Sequence, residues 1–356
     1  MHGHPSQPQE CLKMKKLNKE QKRRCSRRAF AGAREKTKAN TAQQRKLARK
    51  SRNFVVKIAA TTVSILVPVH VRYYADKSQR KFFAVFLERV EQTLRDGKIV
   101  MLDFSSTERL FPCGVLIVMG MVDHWIKKFP LRLTGNYPTD DLVEQMLQHV
   151  GVLQKLGLAA RKVISHNDVT RWHYFTGMNV DATTVEPFME QVRTIVGEEA
   201  QMGLADCVNE AMTNVRHHAY KDEEGGQWWI FATISERRIF VAMHDRGASI
   251  PTTLLEKPEI WDYLTGRMWR QGRADGRLIA SASEGRTSTK LPYRGKGLPE
   301  MLQFTKSSGK GELAIYSRRG FFRFNGSENF ESIGKLSKPI TGTLIVWMLN
   351  LSGAMS

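Results

Sequence analysis

Three polar side chains, Glu210, Asn214 and His218, stand four residues apart inside a run that is otherwise apolar at Leu204, Val208, Ala211, Met212 and Val215. At 3.6 residues per turn, that spacing stacks them along one face of a helix, beside an apolar face that must pack against a core. A carboxamide oxygen is a hard donor suited to Mg²⁺, which binds phosphates through few protein ligands. A carboxylate one turn earlier is placed to position or deprotonate a water or hydroxyl. The same spacing also suits a solvated helix face.

Three later segments bear on that choice. Residues 239–244 alternate like a strand and run into Asp245-Arg246-Gly247-Ala248-Ser249-Ile250-Pro251. An acidic side chain at a strand end suits an adenine amino group, and Gly247 permits close backbone approach or positive φ. Next, Tyr293-Arg294-Gly295-Lys296-Gly297-Leu298 precedes an apolar, helix-like run. Glycines before a helix let backbone N–H groups reach a phosphate, and the helix N-terminus favours the anion. Last, Thr341-Gly342-Thr343 opens a strand over 344–348. Each piece alone also reads as an ordinary turn; order and spacing carry the signal.

With these boxes in place, residues 185–351 resemble the GHKL ATP-binding fold of gyrase, the MutL repair proteins and histidine kinases. They look most like the anti-sigma-factor serine kinase branch. The resemblance implies a Bergerat α/β sandwich with ATP and Mg²⁺ as ligands. Under it, Glu210, Asn214, His218 and Ala219 match the N box, with Glu210 as catalytic base and Asn214 as Mg²⁺ ligand. Asp245 and Gly247 match the adenine box, Gly295 and Gly297 the glycine box, and Thr343 the threonine of the last strand. Arg294, Lys296 and Leu298 flank or follow the phosphate-facing glycines. Ser249 stands where a second glycine is usual, which narrows the approach to the adenine. Pro299 falls in a first helical turn, where proline is tolerated. Residues 251–293 would form a lid carrying Arg267, Arg270, Arg273, Arg277, Arg286 and Lys290, with a mobile Gly/Ser/Thr-rich stretch over 281–289.

Upstream, strands alternate with helices: strand-like 63–71, helical 78–94, strand 99–104, helix 114–129, strand 131–134, then a helix capped at Thr139-Asp140-Asp141 and running to about 156. That alternation implies an α/β layer. Val100-Met101-Leu102-Asp103-Phe104-Ser105, Phe111-Pro112-Cys113-Gly114 and Leu133-Thr134-Gly135 make residues 54–160 similar to a STAS domain, the fold of anti-anti-sigma factors. Those proteins carry a phosphorylatable serine before the position of Gly114. Pro112 and Cys113 stand there instead, so phosphate transfer to this loop is not expected, and Ser105 and Ser106 read as turn residues. Residues 161–184 read as a connector, with His166 and His173 as ordinary surface or interface histidines, and 352–356 as a tail. The fold class expected is therefore α/β (α+β): a basic extension, a STAS-like layer and a GHKL sandwich.

Charge separates the extension from the rest. Residues 1–53 hold 17 Lys/Arg against 3 Glu and no Asp, most of the chain's net +20. Such an arm suits DNA, RNA or another polyanion, bound with strong salt dependence, or serves as a solubilising tail. Cys11, Cys25, Cys113 and Cys207 are scattered, which fits a reducing, cytoplasmic compartment without disulfides or zinc. The apolar stretch 58–71 is too short to span a membrane and contains Pro68.

The function these resemblances imply is that of an intracellular bacterial-type regulatory protein. It binds Mg-ATP in the GHKL domain and couples nucleotide state to the STAS-like domain or to a protein partner. A protein-serine kinase acting on a separate partner and a polyanion-binding ATPase using the arm remain open, as does a homodimer.

Overall fold

The computed structural model describes residues 61–74, 77–220, 226–235, 237–256, 274–285, 297–309 and 311–351. The basic arm, Arg294, Gly295, Lys296 and most of the expected lid arginines lie outside the described residues.

The chain starts with β1 (Thr62–Leu66), β2 (His70–Val71), α1 (Lys77–Arg95), β3 (Ile99–Asp103), β4 (Arg109–Leu110), α2 (Pro112–Lys128) and β5 (Leu133–Gly135). Strands β1, β3 and β5 form a parallel sheet in the order β1-β3-β5. Helix α1 buries Phe83, Phe86, Val90 and Leu94, a stripe at 3–4 residue spacing, and leaves Phe82 exposed. Helix α2 is different: every residue from Cys113 to Val122 is buried, and so is Trp125. A helix apolar all round needs cover on all sides.

Next come α3 (Asp141–His149), α4 (Val152–Lys155), α5 (Asn167–Thr170) and β6 (Trp172–Gly177). Asp140 caps α3 by accepting from the Val143 amide at 2.9 Å. The single helix expected to run to about 156 is broken at Gly151, whose φ of 79° ends one helix and opens the next. The stretch 161–184, expected to be a connector, supplies an edge strand. In β6, Trp172 and Tyr174 face one core while Phe175 faces another, so no apolar–polar alternation marks the strand.

The remainder comprises α6 (Glu186–Val196), α7 (Glu198–Asn214), a π turn over Val215–Ala219, β7 (Trp228–Ile234), β8 (Arg238–Asp245), α8 (Ile250–Leu255), α9 (Ala274–Ser283), α10 (Gly297–Ser308), β9 (Gly311–Asn325) and β10 (Phe330–Asn350). An antiparallel sheet runs β6-β7-β8-β10-β9. Strand β10 begins well before the expected 344–348, pairing with β9 as a long ribbon whose register shifts between Lys335 and Thr343. Ser281 and Ser283, expected in a mobile stretch, are buried at the end of α9, held there by the apolar run Leu278, Ile279, Ala280 and Ala282.

The five-stranded sheet is buried on both faces. Trp228, Ile230, Val241, Met243, Ile345 and Trp347 belong to the core under α6, α7 and α10. Their neighbours Trp229, Phe231, Ala242, Leu344 and Val346 belong to a second core, shared with α1, α2 and the parallel sheet. Helix α2 packs on β7 and β8, and the Trp229 indole donates to Asp123 Oδ2 at 2.9 Å. The fold is thus mixed α and β, with a parallel and an antiparallel layer joined by one buried helix. From Thr62 onward it forms one compact unit. Among the described residues, no helix is long and apolar enough to cross a membrane.

Candidate functional site

Helix α7 packs between α6 and α10, and its last α-helical residue is Asn214. The chain then widens into the π turn, a local rewinding that often accompanies functional sites. Both Asn214 and His218 line the cleft described below, but the ladder expected from α-helical spacing crosses a change of pitch. The Ala219 carbonyl at the end of the turn accepts from the Ala248 amide at 2.6 Å. This contact brings the loop after β8 onto the end of α7. It also explains Gly247: a Cβ there would lie 2.3 Å from the Ala219 oxygen.

A row of directly opposed residues crosses the sheet at this level: Ser317 on β9, Thr343 on β10, Asp245 on β8, Trp228 on β7 and Gly177 on β6. Gly342, just before Thr343, takes a φ of 72°, and a Cβ on it would stand 2.0 Å from the Asp245 carbonyl oxygen. Only glycine fits both demands. The Asp245 carboxylate accepts from the Gly247 amide at 2.8 Å. Burial pushes its pKa up to about 7, against the lowering by hydrogen bonds from the Gly247 and Thr343 amides and by the Arg246 charge.

Helix α10 closes the other side. Its first residue, Gly297, leaves no room for a side chain: a Cβ would lie 2.6 Å from Glu210 Oε2 and 3.1 Å from Asn214 Nδ2. The glycine and the polar face of α7 are therefore in direct contact. Burial raises the Glu210 pKa, and the Glu300 and Asp206 carboxylates nearby add to the shift. Asn214 Nδ2 is buried without a hydrogen-bond partner among the described residues.

These pieces enclose a cleft of about 360 Å³. Of the residues expected from sequence, Asn214, His218, Asp245, Gly297, Leu298 and Thr343 line it. Glu210 sits behind Gly297, and Gly247 shapes the wall. Arg294, Gly295 and Lys296 fall outside the described residues. Apolar walls come from Ala211, Met243, Ile250, Leu254 and Ile345. Ser249 does not narrow the cleft; it caps α8, its hydroxyl accepting from the Thr252 amide at 3.3 Å. Among the contributors that the sequence reading did not single out are Ser317 and Ala282. Ser317, fully buried, contacts Thr343 Oγ1 at 3.0 Å. Ala282 on α9 lines the cleft and joins Leu254 and Leu278 in a small apolar cluster. Only strand register could have pointed to Ser317.

The sheet's other face carries the neighbours of these groups in β8. His244 Nδ1 donates to the Thr343 carbonyl at 3.0 Å, and burial drives its pKa down to about 3, so the ring is neutral. It packs beside Gly120 of α2, where a Cβ would be 3.2 Å from the ring. The Arg246 guanidinium reaches the Met121 sulfur and borders a cavity of about 90 Å³ with Glu88 and Glu91.

The loop leading into α2 is tightly held. The Phe111 amide donates to the Val71 carbonyl at 3.1 Å, Pro112 starts α2, and Cys113 is buried with its thiol pKa pushed up by burial. Asp103 accepts from the Ser105 amide at 3.0 Å and from Asn136 at 2.6 Å, which makes Ser105 a turn residue. Cys113 and Cys207 are both free thiols. No protein-family model matches the chain, and a search of curated proteins finds no match either.

Proposed function

We propose that this chain is a Mg-ATP-binding regulatory protein of the GHKL type, whose nucleotide cleft shares a sheet with a STAS-like layer. The observation that carries this reading is the convergence of Asn214, His218, Asp245, Gly297, Leu298 and Thr343, from separate segments, on one cleft. The size and the mix of apolar walls with a few polar groups suit a nucleotide.

Asp245 and Thr343 would meet the base, and the N-terminal turn of α10 would meet the phosphates with its backbone amides. Asn214 fits a metal role because it lines the cleft beside the start of α10, where its carboxamide oxygen would meet the cation and its buried, unpaired Nδ2 would donate to a phosphate oxygen. Among the described residues, no group of three or more His, Cys, Asp or Glu side chains could hold a metal ion. Asn214 and the nucleotide's own oxygens would therefore hold Mg²⁺, which supplies positive charge to the phosphates. Glu210, with its raised pKa, suits a general base for an attacking water or hydroxyl.

The STAS-like layer would dock a partner or sense the nucleotide rather than accept phosphate, because Phe111-Pro112-Cys113 offers no exposed hydroxyl. A second reading, a polyanion-binding ATPase, draws on the 17 Lys/Arg of residues 1–53.

The deciding experiment incubates the chain with γ-labelled ATP, Mg²⁺ and cell extract, following free phosphate, labelled protein and retained nucleotide. Mg²⁺-dependent retention that disappears in Asn214→Ala supports the site. Retention unchanged in a folded Asn214→Ala protein removes it. Label on a second protein selects the kinase form of this function.

A further inference from the structure

We infer that Ser317 is a positioning residue that fixes the direction of the Thr343 hydroxyl, so that the cleft floor offers only hydrogen-bond acceptors to the base. The inference rests on the nucleotide reading of the cleft and deepens it by naming a determinant of base choice.

A serine hydroxyl has one proton and two lone pairs. The Ser317 oxygen lies 3.2 Å from the Gly342 carbonyl, which can only accept, so the serine proton goes there. The Ile250 amide, 3.0 Å away, can only donate, and it takes one lone pair. The remaining contact, Thr343 Oγ1 at 3.0 Å, must then be filled by the threonine's own proton. Thr343 thus spends its single donor inside the wall and turns lone pairs to the cleft. Ser317 is fully buried, so no water competes for these positions.

Asp245 stands directly opposite Thr343 and lines the same cleft. Its carboxylate, in the ionised form, also accepts. Two adjacent acceptors suit a base edge that bears an exocyclic amine and repel one that bears a carbonyl oxygen at the same place. A 6-aminopurine is favoured over a 6-oxopurine, and part of that preference is set by a residue that never touches the ligand.

The test compares Mg·ATP with Mg·inosine triphosphate by calorimetry, on the full chain, in the parent and in Ser317→Ala, Ser317→Thr and Thr343→Val. In Ser317→Ala the threonine proton is released, its hydroxyl can rotate to donate to a 6-oxo group, and the ATP-to-inosine-triphosphate preference should fall about tenfold. Ser317→Thr keeps the hydroxyl and should restore the parent ratio. Thr343→Val should lower the ratio without emptying the buried wall, which covers the case in which Ser317→Ala does not fold. A parent protein that prefers ATP, with the ratio unchanged in both Ser317→Ala and Thr343→Val, overturns this inference and leaves the nucleotide reading standing. A parent that binds neither nucleotide overturns both.

Discussion

Gly297 rests directly against Glu210, so closely that a Cβ on the glycine would lie 2.6 Å from the carboxylate Oε2. Two segments more than eighty residues apart are thereby fitted together without a side chain between them. Gly297→Ala should push α10 away from α7. Overpacking of this kind costs about 1–3 kcal/mol. Nucleotide affinity should fall along with thermal stability, and a thermal melt paired with calorimetry measures both. Unchanged affinity would show that this contact is not part of the binding wall.

Asn214→Ala is expected to abolish the Mg²⁺ dependence of ATP binding while sparing the helix, because alanine is a strong helix former. Titration with ATP in Mg²⁺ and in EDTA should then give equal affinities. Glu210→Gln should retain ATP and lose any turnover the parent shows.

Asp245 gives a pH signature. Its pKa is about 7 in the folded protein against an ordinary 3.8, so the folded state holds this proton more tightly than the unfolded state. For this group the stability of the ligand-free protein is greatest in acid and declines as pH rises from about 4 to 7. An ionised acceptor is needed for an amino group, so ATP affinity should move the other way. It should rise roughly tenfold per pH unit below 7 and level off above it. Asp245→Asn should flatten both profiles, read by urea denaturation and by calorimetry between pH 5 and 8.

Gly342→Ala should be among the most damaging single changes. The residue combines a φ of 72° with a would-be Cβ 2.0 Å from the Asp245 oxygen. A loss of about 2–4 kcal/mol is expected, from left-handed strain together with a backbone clash. Chemical denaturation gives the number, and a neutral result would mean that the β8–β10 junction can reopen freely.

Deleting residues 1–53 should leave ATP affinity intact, since the cleft is built from residues beyond 210. Retention on DNA, RNA or anionic vesicles should fall, and in the full chain it should weaken steeply with salt. If the full chain ignores every polyanion at low salt, the polyanion reading is lost.

The local parts of this architecture were legible in the residues themselves. The Glu210–Asn214 step of α7, the apolar β8 run ending at Asp245 and the Asp140 cap of α3 depend on neighbours within a turn or two. Strand β6 was not legible, because this edge strand carries large apolar groups on both faces, Trp172 and Tyr174 on one and Phe175 on the other, and so shows no polar alternation. Ser317 was hidden for a different reason: its partners Thr343, Gly342 and Ile250 meet it only through strand register and a distant helix start. The π turn after Asn214 left no mark in the spacing of polar groups. Helix α2 is apolar around its whole circumference from Cys113 to Val122, a pattern that demands a second buried surface against it.

Helix α2 and the sheet face it covers also govern how the chain can be divided. Cutting near residue 160, where the sequence reads as a boundary, would strip the cover from Trp229, Phe231, Ala242 and Val346 at once. An isolated carboxyl-terminal fragment would present that apolar wall to water and to other copies of itself. The cleft is best studied in chains that begin at or before Thr62. A screen of truncations should find solubility lost in one step with α2 rather than gradually.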